Sequence, residues 1–341
     1  MLQQVVVAPG KIEFREVPIP EIGPDQVLVR IKRIGICGSD LRVFSGDYPG
    51  VSYPLTQGRE ASGEIVAAGS SVLNLFPGQK VTIQPQVTCG ECRYCREGKY
   101  NLCENLKVMG FQAPGMASEY FAVDADRVAT LPADSSYEAG TMVEPLAVAV
   151  HAVKRAGNVN RKKVLILGAG PIGVITAQAA KGMGAEAVMI TDLMDQRLEI
   201  AKRCGADFCV NAGKGDLGEA LKEHFGTDHA DIIYDCAGTD VTIGQAIRYA
   251  SAGSRIVLVG VYKGWAKVDL AALADKELKL YTTLMYRNED YLDAIGLIDE
   301  KKVNLDAMIT GRFPFKKYEE AYRCLQENRD RMIKAMIEVG E

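Results

Sequence analysis

The sequence predicts an α/β chain in two parts: a compact antiparallel β domain toward the N-terminus, followed by a doubly wound parallel sheet. Three observations carry this. From Gln3 to about Val123, short alternating segments such as QVLVRIKRIG (26–35), GEIVAAG (63–69) and SEYFAV (118–123) are broken by Gly and Pro turns, the period-two pattern of half-buried strands. From Ser136 to Gly157 the apolar spacing lengthens to that of a helix. Five apolar strand segments then follow, KVLILG, AVMITD, DFCV, DIIYDCAG and RIVLVG, with helical stretches between them. Strict alternation of this kind builds a parallel sheet with helices on its faces.

At 341 residues and 48% hydrophobic composition, the chain is long enough to bury two cores. No flexible linker marks the boundary near residue 150, so a continuous helix is expected to join the domains. After Tyr286 come helical runs at 289–300 and 317–327 and the strand-like RMIKAMIEV, which pattern alone assigns to either domain. The 40 basic and 44 acidic residues are well mixed and leave a net charge of −4. No broad basic surface is available for nucleic acid or an anionic membrane, and neither is expected as a partner. The opening MLQQVVVAPGKIEF lacks the pattern of a secretory leader, so a cytoplasmic location is expected. The apolar run at 164–180 carries Pro171 and three glycines and falls short of the ~20 residues of a membrane span.

That run reads instead as a phosphate-binding turn. KVLIL leads directly into GAGPIG, which sets Gly168, Gly170 and Gly173 in the G-x-G-x-x-G spacing with Pro171 and Ile172 opening a helix. Gly168 permits the tight turn, Gly170 lets backbone approach a pyrophosphate, and Gly173 lets helix and strand pack closely. The helix N-terminus then faces the phosphates. The next strand ends at Asp192, where a carboxylate accepts ribose hydroxyls and repels a 2′-phosphate. Leu193 stands where a basic residue would accommodate that phosphate, so NAD is expected over NADP, with Arg197 a further cofactor contact.

Four of the nine cysteines, Cys89, Cys92, Cys95 and Cys103, fall within CGECRYCREGKYNLC. Thiolates at this spacing wrap one tetrahedral Zn²⁺ with no open position, a structural site holding a lobe (88–104) poor in apolar side chains.

The order of these motifs resembles the medium-chain dehydrogenase/reductase family, the zinc-type alcohol dehydrogenases, and within it the polyol (sorbitol-like) branch. The resemblance rests on GICGSD, the GRE turn, the cysteine lobe, MVEPLAVAVHA, GAGPIG with Asp192, and the C-terminal strand. It implies a GroES-like catalytic domain formed by 1–148 and 287–341, a Rossmann NAD-binding domain at 149–286, and an active site in the cleft separating them. It also implies a homo-oligomer, dimer or tetramer. In that family a catalytic zinc binds a cysteine of the C-G-[ST]-D segment, a histidine of a G-H-E turn, and acids of that turn or of the E-P helix start. By position, Cys37 matches the cysteine, Glu60 and Glu144 the acids, and Ser39 the hydroxyl that relays the proton.

Arg59 stands in place of the histidine. A guanidinium has only donors and stays protonated, so it repels a cation instead of coordinating it. Asp40, which in the family steadies the histidine, is free to pair bidentately with Arg59, and Arg42 occupies a second position associated with imidazole. The three histidines, His151, His224 and His229, read as structural or surface residues. The expected site is therefore metal-free, with Arg59 as a fixed cation. The rival is a weak second zinc on Cys37, Glu60, Glu144 and water. The expected activity is NAD-dependent hydride transfer to or from a secondary alcohol of a polyol, sugar acid or sugar derivative. The alternatives are a zinc-independent carbonyl or enone reductase and a non-catalytic NAD-binding protein.

Overall fold

The long strand Gln26–Gly35 organises the first half of the structure, a computed structural model that describes residues 1–340. Its Val27, Val29 and Ile31 alternate onto one face, fully buried, and a register shift between Ile31 and Arg33 re-aims the strand so that Ile34 is buried too. It pairs antiparallel with Glu60–Ala68, Tyr120–Asp124 and Lys334–Glu338. The full sheet runs Ile309–Pro314, Lys334–Glu338, Gln26–Gly35, Glu60–Ala68, Lys80–Ile83, Val128–Thr130, with Tyr120–Asp124 added beside Gln26–Gly35. The helix Tyr318–Glu327 closes the core with Tyr318, Ala321, Tyr322 and Leu325 against these strands. Two of the pairings matter for the site. Gly35 lies opposite Glu60 on one side and Met336 on the other, which brings residues from distant parts of the chain to the same place.

The second half holds six parallel strands in the spatial order Phe208–Asn211, Ala187–Asp192, Lys163–Leu167, Ala230–Asp235, Ala250–Leu258, Lys279–Thr282. Numbered along the chain this is 3-2-1-4-5-6, the doubly wound order with its reversal beside Lys163–Leu167. The five expected strands are present. The sixth, Lys279–Thr282, is a four-residue edge strand with three of its residues exposed, so it lacks the apolar run that announced the others. The helical stretch expected over 136–157 is two helices, Tyr137–Thr141 and Val143–Arg155, interrupted at Met142. Among the described residues, no helix is long and apolar enough to cross a membrane.

The two compact units divide at Glu144/Pro145 and at Met308/Ile309. The strand and helix that follow Ile309 pack with the first unit. Residues 287–308, placed with that unit on resemblance, cluster with the second, where the helix Asn288–Asp299 is held by a hydrogen bond and an ion pair. His151 Nδ1 lies 2.7 Å from Asp290 Oδ2, and Lys154 Nζ lies 2.8 Å from Asp290 Oδ1.

Burial raises the Asp290 carboxyl, but the hydrogen bonds from His151 and Lys154 outweigh it and hold the group at about 2. The folded value is below the unfolded one of about 3.9. The contribution to stability is therefore complete above about pH 4 and is lost as pH falls toward 2. Asp290→Asn is expected to destabilise the chain by about 1–3 kcal/mol near neutral pH. Denaturant melts should show the gap from wild type narrowing below about pH 4 and closing near pH 2; a gap of constant size would rule out the assigned role.

Candidate functional site

Cys37 and Asp40 meet at the start of the helix Gly38–Phe44. Cys37 is its N-cap and Asp40 its third residue; Asp40 Oδ2 accepts the Cys37 N–H at 2.8 Å, which fixes the carboxylate, and the Asp40 N–H donates to the Cys37 carbonyl at 3.0 Å. The turn before Glu60–Ala68 brings Arg59 to them. Arg59 Nη2 donates to Cys37 Sγ, and Arg59 Nε lies 3.8 Å from Asp40 Oδ1. The bidentate Arg59–Asp40 pair anticipated from sequence is thus not formed. Asp40 spends one oxygen on the helix cap, so the guanidinium turns its edge to sulfur and keeps the carboxylate as a nearby countercharge. Ser39 Oγ lies 3.9 Å from Cys37 Sγ.

Below the guanidinium is an aromatic floor. The Arg59 guanidinium carbon lies 5.0 Å from the Phe111 ring centroid, Phe111 packs at a tilt on Tyr48 with centroids 4.8 Å apart, and Arg42 lies 5.5 Å above Tyr48. The two arginines noted in the sequence are thus the ends of one column, and each gains cation–π attraction from it.

Lys334, on the C-terminal strand, donates to Glu60 Oε2, and both side chains are almost wholly buried. Gly35 makes room for this pair, since a Cβ there would come within 2.3 Å of Glu60 Oε2 and 3.1 Å of Lys334 Cε. Lys334, the first residue of the strand KAMIE, was not recognised from sequence, because a lysine at the head of a strand reads as a solvated end.

The electrostatics follow from burial. Burial raises Asp40 to about 6, against the opposing pull of Arg59 and of the Cys37 N–H. Burial likewise raises Glu144 to about 7, with Arg59 opposing and Glu60 adding to the rise. Burial pushes the Cys37 thiol up while Arg59 draws it down. For Arg59 itself burial would favour loss of the proton, but Cys37, Glu144, Asp40 and Glu60 hold it on.

Whether a metal ion fits here is decided by the donors. Arg59 already occupies Cys37 Sγ and Lys334 already occupies a Glu60 oxygen, while Glu144 Oε1 is buried without a partner. Two of the three candidate ligands face a fixed cation, and as placed they do not fit an ion.

The lobe at 88–104 is different. Sulfur separations of 3.5 Å (Cys92–Cys95), 3.6 Å (Cys89–Cys103) and 4.0 Å (Cys89–Cys95) compare with the about 3.8 Å edge of a tetrahedron of Zn–S bonds. All four sulfurs lie within 4.8 Å of one another, the one such group of metal-ligating side chains among the described residues. These residues fit a structural zinc.

In the second unit, the turn after Lys163–Leu167 has the geometry a dinucleotide needs. Gly168 has φ +101°, and a Cβ on Gly173 would lie 1.8 Å from Gly168 O. A Cβ on Gly170 would meet open space, at the N-cap of the helix Pro171–Gly182, whose first residues are Pro171 and Ile172. Asp192 Oδ2 accepts the Ala169 N–H at 2.8 Å, and Oδ1 accepts those of Leu193 and Met194. Arg197 Nη1 lies 3.7 Å from Asp192 Oδ2. Asp235, not singled out from sequence, ties down the neighbouring loop: it accepts from Ala237 and Gly238 N–H, from Thr242 Oγ1 and from the Tyr262 hydroxyl. His224 stacks on Phe208 and His229 pairs with Asp228.

A β-rich unit with a charged pocket and a thiolate lobe, together with a doubly wound unit carrying a dinucleotide turn, defines a two-domain nucleotide-dependent oxidoreductase. Comparison with known proteins makes this specific. Residues 23–133 match the alcohol dehydrogenase GroES-like domain and residues 171–300 the zinc-binding dehydrogenase domain. Sorbitol dehydrogenase of Ovis aries is 36% identical over 94% of this chain and 92% of its own. The crystal structure of galactitol-1-phosphate dehydrogenase from Escherichia coli superposes with TM-score 0.90 at 31% identity, over 99% of each chain. An Escherichia coli dehydrogenase solved with NADH superposes with TM-score 0.91 at 30% identity, also over 99% of each chain. The chain belongs to the zinc-type alcohol dehydrogenase family of medium-chain dehydrogenases/reductases.

Cys95→Ser, or treatment with a strong chelator, is expected to release zinc from the lobe, lower the thermal midpoint and open new protease sites within 88–104. Limited proteolysis with mass mapping checks this; cleavage confined elsewhere would count against a metal-held lobe.

Proposed function

We propose that this protein is an NAD-dependent dehydrogenase acting on a secondary alcohol of a polyol, sugar acid or sugar derivative, and that Arg59 serves where relatives would place a catalytic zinc. The observation that carries the reading is the Cys37–Arg59–Asp40 constellation within a chain aligned to sorbitol dehydrogenase over nearly its full length. The cofactor supplies the hydride acceptor. Asp192, held by the Ala169 amide of the glycine turn and the Leu193 amide of its own, is the group that receives the adenosine ribose, and with Leu193 beside it favours NAD.

At the reacting carbon, alcohol oxidation sends hydride to the nicotinamide and the hydroxyl proton to the protein. Arg59 stabilises the negative charge that builds on the substrate oxygen, from a position fixed before substrate arrives. Ser39, beside Cys37, relays the released proton. Asp40 and Glu144 keep the guanidinium charged and oriented. The alternative of a zinc-independent carbonyl or enone reductase uses the same fixed cation and differs in preferring NADPH. Charged substrates are within reach of this reading, since relatives include D-arabitol-phosphate dehydrogenase of Enterococcus avium and L-galactonate-5-dehydrogenase of Escherichia coli.

The test is NADH formation from a panel of polyols, polyol phosphates and sugar acids, combined with metal analysis. One zinc atom per chain and NAD-linked turnover are expected; two zinc atoms per chain would overturn the role given to Arg59. Arg59→Ala is expected to lower kcat/KM by about 10²–10³-fold, the usual effect of removing one preorganised oxyanion donor. Asp192→Gly is expected to raise the KM for NAD and admit NADP, measured by comparing the two cofactors with one substrate.

A further inference from the structure

Arg59 and its partners lie on two separate stretches of chain, and a buried amide joins them. Gln57, two residues before Arg59, is fully buried. Its Nε2 donates to the backbone carbonyl of Asp40 at 3.1 Å, and its Oε1 accepts the Tyr322 hydroxyl hydrogen at 2.7 Å. Tyr322, also fully buried, sits on the helix Tyr318–Glu327 and packs its ring at 5.0 Å from Phe44, at the end of the helix that carries Asp40. The Gln57 backbone is itself pinned, its N–H directed at Gln4 Oε1 (3.3 Å) and its carbonyl accepting from Ala117 N–H (2.8 Å).

The placement is unusual for a hydrophobic core. Phe44, Tyr318, Tyr322 and Phe315 belong to the main apolar cluster of this unit, where an apolar pair would pack without any polar group to satisfy. A buried amide and phenol that satisfy each other give directional placement, which apolar packing does not. What they place is the helix Gly38–Phe44 relative to the Gly58–Arg59 turn, and that separation sets the Arg59–Cys37 contact and the Arg59–Asp40 distance.

We infer that Gln57 and Tyr322 are positioning residues for the guanidinium: through the Asp40 carbonyl they hold the Cys37 helix in register with Arg59. The inference rests on the catalytic role given to Arg59 above. Both are fully buried, so they act through the elements that carry Arg59 and Cys37.

The test uses the double variant Gln57→Leu/Tyr322→Phe, an apolar pair of similar volume that keeps the core filled, with circular dichroism and thermal melting confirming that it folds. Its crystal structure is expected to show the Arg59 guanidinium withdrawn from Cys37 Sγ and the Asp40 helix displaced; an unmoved Arg59 and Asp40 would overturn the inference. This readout needs no substrate, so it decides the matter even if no compound in the polyol panel turns over. With a turned-over substrate, the variant is expected to lower kcat by about ten- to a hundredfold, with the KM for NAD unchanged. In an Arg59→Ala background the same pair of changes is expected to have no further effect on kcat. An equal loss in both backgrounds would show a general effect on the fold and would also overturn it.

Discussion

Charges taken out of water must be paired, and in the first unit that requirement governs how the pocket is assembled. Asp40, Glu60, Glu144 and Lys334 are buried and Arg59 nearly so, a density of ionisable groups that an apolar core does not tolerate unless each finds an opposite charge or a proton. Lys334 meets Glu60 and Arg59 meets Cys37 and Asp40. Every backbone feature around them serves these meetings: the cap at Cys37, the space left by Gly35, and the pairing of Gln26–Gly35 with Glu60–Ala68 on one edge and Lys334–Glu338 on the other. With the thiol neutral, three carboxyl groups face two cations. Burial raises both Asp40 and Glu144, and protonating one carboxyl also removes the uncompensated charge.

A guanidinium and a metal ion stabilise oxygen in different ways. The ion offers an open coordination position and draws the oxygen into its own shell; the guanidinium offers directed N–H groups in a plane and cannot shift its proton. Its usefulness therefore depends on being held still. The aromatic floor of Phe111, the sulfur of Cys37 and the carboxylate of Asp40 constrain Arg59 from three directions. The second unit meets its own requirement by the same means on a neutral scale, with Asp192 and Asp235 each accepting backbone N–H groups to fix the loops around the dinucleotide turn.

Much of this is visible in the sequence, for identifiable reasons. The six-stranded sheet announced its four inner strands through apolar runs, because strands covered on both faces exclude polar residues; of the two edge strands, half-buried Phe208–Asn211 kept a short apolar run and the mostly exposed Lys279–Thr282 did not. The cysteine lobe and the glycine turn are local in sequence, so spacing alone located them. The pocket around Arg59 is not local. That Arg59 stands where a histidine would be expected is legible from its neighbours Gly58 and Glu60, but its hydrogen bond to Cys37 depends on how Asp40 divides its two oxygens, which no spacing rule expresses. Lys334 and Tyr322 reach the same pocket from more than two hundred residues away, and Gln57 looks in sequence like any polar residue before a turn. The boundary at Ile309 was hidden for a related reason: Asn288–Asp299 is tied to the second unit by Asp290, an acid whose partners lie far upstream.

The Lys334–Glu60 pair spans 274 residues, with the whole second unit encoded between its members. During synthesis, Glu60 leaves the ribosome long before its counter-ion exists, at about 5–20 residues per second. Until Lys334–Glu338 arrives, the Glu60 carboxylate lacks this counter-ion and the edge of Gln26–Gly35 that the strand will cover stays unpaired. The nascent chain thus carries the whole second unit ahead of a finished chemical pocket, and maturation of that pocket waits on the segment that bears Lys334.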